Sequence, residues 1–232
     1  MDRCLTPELM DDPAIDAREH QRALWGLARL NRLSRATQIL WPAVREVAQR
    51  RGGTVSLLDI ATGAGDLPIA LAQRAAATGI SLAVHACDCS AVAIDHARSR
   101  AAAVGVDLKC WEQDVIHEPL AARGQFDVVT CSLFLHHLDT ASAISLLRNA
   151  ASACRDTLLV SDLRRDRIGL LLAWTVPRAL TRSRIVHVDA VKSVRAALTP
   201  SELLDLASQA GLAGATVVNC SPRRMLLSWS RN

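Results

Sequence analysis

Tyrosine is absent from this 232-residue chain, and phenylalanine occurs only twice. The missing phenols remove one common catalytic acid and one common stacking platform for bases or substrate rings. Lysine is scarce beside arginine, and the net charge is only +4, mixed along most of the length. There is no basic stripe interleaved with aromatics, so no nucleic-acid partner is expected. No apolar run approaches the roughly 20 residues that span a bilayer; the nearest, Ile168 to Val176, is followed by Pro177. Met1 to Pro13 is acidic and polar and lacks the basic start and apolar core of a secretory leader, so a cytoplasmic location is expected. The seven cysteines are odd in number and sit mostly in apolar runs, as buried thiols in a reducing cytosol do. Cys87-x-Cys89 is too tight for a metal or redox pair and no second pair completes it, so no metal site is expected. Internal repeats and low-complexity tracts are also missing.

Half of the residues are apolar, largely aliphatic, which is enough for the core of one ordinary domain. From residue 55 onward strand-like and helical patterns alternate. The expected strands are 55–60, 81–87, 107–112, 126–131 and 156–161; the expected helices between them are 67–78, 90–104 and 140–153. Such alternation predicts a doubly wound α/β fold, with parallel strands and helices on both faces. Thr199-Pro200-Ser201-Glu202 opens a further helix: Thr199 caps, Pro200 takes the first turn, Glu202 closes a capping box. Gly211 ends it. Two last strands, 214–219 and 224–230, meet at Ser221-Pro222-Arg223, a hairpin turn. Residues 14–50 read as two amphipathic helices with Leu24, Leu27, Leu30 and Ile39 among their apolar positions. The expected division is a helical cap (1–52), a ligand-binding core (53–162), an insertion (163–198) and the last helix with the hairpin (199–232).

The densest signal is Leu-Leu-Asp-Ile-Ala-Thr-Gly-Ala-Gly-Asp-Leu at 57–67. An apolar strand stops at a small-residue loop and a helical pattern starts at once, which lets backbone N–H groups approach a nucleoside closely. Asp59, Gly63 and Gly65 form Asp-x-x-x-Gly-x-Gly. The next strand ends in Asp88, where an acid can accept hydrogen bonds from both hydroxyls of a ribose. A dinucleotide fingerprint needs a third glycine where Pro68 stands, which weakens a pyrophosphate-binding reading.

With these residues the chain resembles a class I S-adenosylmethionine-dependent methyltransferase. The segment LLDIATGAGDLPIAL is similar to that of the ubiquinone/menaquinone-biosynthesis methyltransferases, with Ala61 where that family usually has glycine. The resemblance covers roughly residues 55 to 162. It implies a mostly parallel seven-stranded sheet ending in an antiparallel hairpin, which a nicotinamide-binding domain usually lacks. It also implies a cofactor site made of Asp59, Ala61, Thr62, Gly63, Ala64, Gly65, Asp88, Cys89, Asp114, Val115, Ser132 and Leu133. In that site Asp59 fixes the loop and orients the cofactor amino group, or it caps local backbone. Asp114 reads the adenine amino group and Val115 packs on the ring. Asn31-Arg32-Leu33-Ser34 resembles a stretch lying over the cofactor, though a packing helix explains it equally. The 163–198 insertion corresponds to a lid that shapes specificity.

Asp66 is expected to cap the helix starting at Leu67, and Ser90 either to lie near the adenine or to cap the next helix. The apolar strand from Phe126 ends at Ser132, and a short turn then carries His136 and His137. Ligands of open α/β sheets bind outside the carboxyl ends of strands, so these histidines lie near the site. Adjacent residues of a helical turn point about 100° apart, so one faces the pocket. We expect His137 to be that one, as a general base or as packing beneath the cofactor. Asp162 either binds substrate or pairs at the surface with Arg164 or Arg165. Arg164, Arg165, Arg167, Arg178, Arg182 and Arg184 flank the apolar stretch 168–177, which suits a lid over a greasy substrate, peripheral contact with a membrane, or both. His187 and Asp189 can reach into the pocket from that lid.

The favoured expectation is methyl transfer to a small acceptor, apolar or aromatic, polyketide-like or isoprenoid, by in-line displacement at oxygen or carbon. A non-catalytic cofactor-binding module and a nicotinamide-dependent oxidoreductase are the alternatives. An enzyme acting on flipped bases is disfavoured, since no Asn-Pro-Pro-Tyr-type pattern follows the fourth strand.

Overall fold

The computed structural model describes residues 1–11, 15, 16, 18, 19, 22, 23 and 35–231. Leu24, Leu27, Leu30 and the 31–34 stretch lie outside the described residues. The strands are β1 (Val55–Ile60), β2 (Leu82–Asp88), β3 (Leu108–Glu112), β4 (Phe126–Ser132), β5 (Cys154–Leu163), β6 (Thr216–Cys220) and β7 (Arg224–Ser230). They form one sheet in the order β3-β2-β1-β4-β5-β7-β6. β1 to β5 are parallel, and β7 runs antiparallel to both β5 and β6. The expected fold class is therefore the observed one. The strand order reverses between β1 and β4, so the loops leaving these strands diverge and open a crevice there.

Helices cover both faces, which is why the central strands read as continuous apolar runs. One face packs Leu58, Ile60, Cys131, Val160 and Leu227 against α4 (Thr140–Ala153) and α7 (Pro200–Gln209). The other packs Leu57, Val128, Leu159 and Leu226 with α1 (Ala36–Arg51), α2 (Asp66–Ala77) and α3 (Ala91–Ala103). α1 is the second of the two N-terminal helices expected, and Ile39 packs against this core. β5 is longer than expected. It starts as α4 ends, and its carboxyl half pairs with β7 from Thr157 to Leu163.

The insertion folds as α5 (Arg167–Leu180) and α6 (Arg184–Ala196), started by the side chains of Asp166 and Ser183. The N-terminal segment is laced to them: Cys4 N donates to Arg195 O, and Asp189 accepts from Leu9 N and Met10 N. Asp189 is thus spent on backbone, and His187 Nε2 lies 2.8 Å from Thr181 O, so neither reaches inward as expected.

The capping box at Thr199 forms as the sequence predicts: Glu202 N donates to Thr199 Oγ1, and Thr199 N donates to Glu202 Oε2 at 2.7 Å. Thr199→Ala is expected to cost about 1 kcal/mol, read as a lowered denaturant midpoint at unchanged slope.

Candidate functional site

The loop after β1 turns on backbone that side chains resist. Ala61 has φ 51°, Gly63 φ 55° and Gly65 φ 74°. Alanine at 61 thus holds a left-handed conformation that glycine adopts more easily. A Cβ on Gly63 would meet nothing within 4 Å, so the space above it is open to a ligand. A Cβ on Gly65 would lie 3.0 Å from Ala97 Cβ; this glycine lets α2 and α3 close together. Thr62 N donates to Cys87 O, and Arg100 donates to Ala64 O, which ties the loop to its neighbours.

Asp88, at the tip of β2, accepts from Gly63 N at 2.8 Å through Oδ2 and from Ser90 N at 3.0 Å through Oδ1. It clamps the loop from outside and stands at the crevice mouth beside exposed Cys89. Ser90, not Asp88, caps α3, with Ala93 N donating to its hydroxyl. Asp66 does not cap α2: Gly65 holds that position without a side-chain bond, and Asp66 pairs instead with Arg100 at 2.6 Å. The left-handed turn at Gly65 starts the helix one residue early, leaving Asp66 inside its first turn.

Asp59 is buried. Its carboxylate accepts from Thr62 Oγ1 at 2.7 Å and from Thr130 Oγ1 at 2.6 Å, the latter on the neighbouring strand β4. Burial pushes its pKa up to about 6, although both hydroxyls and their hydrogen bonds oppose this. Asp59 therefore welds the loop to β4. Thr130 went unnoticed in the sequence; a polar residue inside an otherwise apolar strand was the available signal.

Asp114 accepts from Ile116 N and His117 N and lies 2.8 Å from His117 Nδ1. The histidine bond leads the causes that hold its pKa below the usual value. Val115 is buried in the core cluster.

At the end of β4, Leu133 adopts φ 57° and its N–H donates to Ser161 O. This left-handed kink swings the next turn over β5. There the two histidines part. His136 points inward at 4% exposure, whereas His137 is exposed. His136 Nδ1 lies 2.7 Å from Asp162 Oδ1, and Asp162 Oδ2 accepts from His136 N at 3.0 Å. Asp162 is only 1% exposed, so the expected surface pairing with Arg164 or Arg165 does not form. Arg164 pairs with Asp166, and Arg165 pairs with Glu202. The reason is register: the β5–β7 ladder carries Asp162 into the interior beneath the turn.

Burial lowers the pKa of His136, but the charge and hydrogen bond of Asp162 more than offset it, and the net shift is upward. Burial raises that of Asp162; His136 and the Leu163 N–H reverse this to a net depression. The imidazole is thus held at Nδ1 by the Asp162 carboxylate. Nearby, a carboxylate oxygen of Glu8 and ring nitrogens of His136 and His137 lie within 4.8 Å of one another. Glu8 also accepts from Ser193 Oγ on α6. Glu8 was not anticipated, because only the lacing of the N-terminus onto α6 brings it here.

Arg224, at the start of β7, was also missed. It is 1% exposed, donates to Ser132 Oγ and Ser161 O at 2.9 Å each, and leaves Nε and Nη1 without hydrogen-bond partners. Burial lowers its pKa to about 10, with Asp162 opposing, so it stays cationic at neutral pH. An arginine opening an apolar strand was the signal. Ser132, expected at the cofactor, is thereby engaged by a guanidinium.

Residues 57–157 match a family model described as a methyltransferase domain. Among solved structures, the plantazolicin methyltransferase BpumL with SAH is 16% identical, covering 94% of this chain and 91% of that one at a TM-score of 0.69. Magnesium protoporphyrin IX methyltransferase from Synechocystis PCC 6803 with bound SAH is 18% identical, with 95% and 90% covered and a TM-score of 0.59. PigF with SAH is 20% identical at a TM-score of 0.58; the match covers 76% of this chain and spans 50% of PigF. No curated protein matches the sequence. The fold is that of the class I methyltransferases, and the segment that carries the crevice matches the methyltransferase-domain model. The antiparallel β7 and this match favour the methyltransferase reading over the nicotinamide one.

Proposed function

We propose that the protein transfers a methyl group from S-adenosylmethionine to an oxygen, or an activated carbon, of a small aromatic or apolar acceptor. What supports this is one convergence: the open glycine loop clamped by Asp88 and the buried His136–Asp162 pair both stand at the carboxyl ends of the sheet, on either side of its switch point. The open space above Gly63 and the carboxylate of Asp88 fit a nucleoside: the loop offers backbone and Asp88 accepts from ribose hydroxyls.

When bound, S-adenosylmethionine supplies an electrophilic methyl group that needs no metal to react. The chain's own part is to align the acceptor, exclude water and take up a proton. His136 Nε2 is the group for that proton, and Asp162 fixes the tautomer and stabilises the imidazolium. Arg224 can stabilise negative charge near Ser132. An apolar, aromatic acceptor is supported by the molecules named with the neighbours, magnesium protoporphyrin IX and a triazolic desmethylPZN analogue. The resemblance to quinone-pathway enzymes points the same way. The seven unpaired thiols fit a reducing compartment such as the cytoplasm.

The test is calorimetric titration with S-adenosylhomocysteine, followed by an assay of its release with a panel of phenols and hydroxyquinones. His136→Ala is expected to keep the affinity and lose roughly 100-fold or more in methyl transfer. Binding without turnover of any acceptor would favour a non-catalytic module; no binding would defeat the proposal.

A further inference from the structure

We infer that α5, together with the groove it forms against α6, docks on an anionic phospholipid surface. In a folded domain a helix normally turns its large apolar side chains inward. α5 keeps several outside: Leu171 is 59% exposed, Trp174 55% and Ile168 50%, and Leu172 is exposed beside them. Positions 168, 171 and 172 follow helical spacing and share one outward stripe, and Trp174 adjoins it three residues after Leu171.

The charge on this surface is of one sign. Arg167, Arg178, Arg182 and Arg184 are all exposed, and no acidic residue occurs between Arg167 and Val188. Asp166, at the helix start, is already engaged by Arg164 and Gly169 N. The Arg178 guanidinium lies 4.5 Å over the Trp174 ring, so its cationic head sits at the edge of the apolar stripe. An aromatic and a cation at that level suit the boundary between headgroups and acyl chains.

A second observation is the groove itself. Leu170, Leu171, Trp174 and Val191, together with Arg167 and Arg195, line a hollow of about 340 Å³. Apolar side chains and two arginines lining one hollow match a phospholipid, the arginines pairing with its phosphate and the apolar side chains meeting its chain end. A second copy of this chain fits less well. A two-fold contact through this stripe would bring the same arginines face to face. No helix among the described residues is long and apolar enough to cross a membrane, so the contact is peripheral. It does not depend on the chemistry proposed above.

The test is co-sedimentation of the full chain with vesicles of phosphatidylcholine alone and of phosphatidylcholine with one third phosphatidylglycerol. Binding is expected on the anionic vesicles and to fall roughly tenfold or more on the neutral ones or in half-molar salt. Leu171→Ser with Trp174→Ser should abolish it while the circular dichroism spectrum and S-adenosylhomocysteine affinity stay unchanged. Arg178→Glu with Arg182→Glu should do the same with every apolar residue of the stripe left in place. No binding to anionic vesicles, equal binding to neutral ones, or binding that survives both double substitutions would overturn the inference. So would a lipid-free dimer, seen by sedimentation velocity, that the serine substitutions dissociate.

Discussion

Asp88→Ala is expected to weaken S-adenosylmethionine binding roughly 100-fold or more. Two hydrogen bonds from ribose hydroxyls to a carboxylate are worth about 1.5–3 kcal/mol each. The substitution also strips Gly63 N and Ser90 N of their acceptor. The loop would then lose part of its preorganisation as well as its ligand contact. Isothermal titration reads the affinity, and a retained melting profile shows that the sheet survives. Asp88→Asn keeps one neutral acceptor for these N–H groups and should fall between wild type and alanine. Undiminished binding by the alanine variant would remove Asp88 from the site and with it the assignment of the crevice.

Asp162→Asn is expected to move the pH–rate profile and to loosen the fold. In the native pair the His136 pKa lies above the ordinary 6.5 and that of Asp162 below the ordinary 3.8. The signs follow from linkage. A histidine with a raised folded pKa contributes stability that is fully present below its unfolded pKa. That contribution is lost as pH rises through the folded value. An aspartate with a depressed folded pKa contributes stability above its unfolded pKa, lost as pH falls through the folded one. The two contributions are together full only between the unfolded values of the two groups.

A base must be unprotonated, so kcat/KM of the native protein should rise with pH through the raised His136 pKa. In Asp162→Asn burial acts on the imidazole without the opposing carboxylate, and this rising limb should move to lower pH. A purely structural Asp162 would lower the rate without moving the limb. Urea titration at mildly acidic pH should show a loss of about 3 kcal/mol, the usual scale for removing one partner of a buried pair. The loss should shrink at higher pH, where the imidazole is neutral.

The placement of these groups marks how far sequence reasoning reaches. The alternation of apolar strands with helical patterns is a local, periodic signal, and it gave the order and type of β1 to β5 and the helices between them. The Thr199 capping box and the hairpin turn at 221–223 are likewise short-range, and both form in the structure. The glycine loop and Asp88 were legible because backbone chemistry demands those residues at that spacing. The direction of the histidines was not. Two adjacent residues in a turn differ only by where the chain enters it, and the Leu133 kink set by its bond to Ser161 decides that.

By itself, then, the sequence determined the alternation that winds an α/β sheet, the glycine loop after β1 and the acid at the tip of β2. Each of these follows from periodicity or from local backbone geometry. Only the tertiary structure decided that His136 turns inward onto Asp162, that Arg224 is buried against Ser132, and that Glu8 joins the histidines from the far end of the chain. These pairings depend on strand register and on chain ends meeting across the fold. No sequence window contains both partners, and burial, which sets their charge states, exists only once the layers have packed.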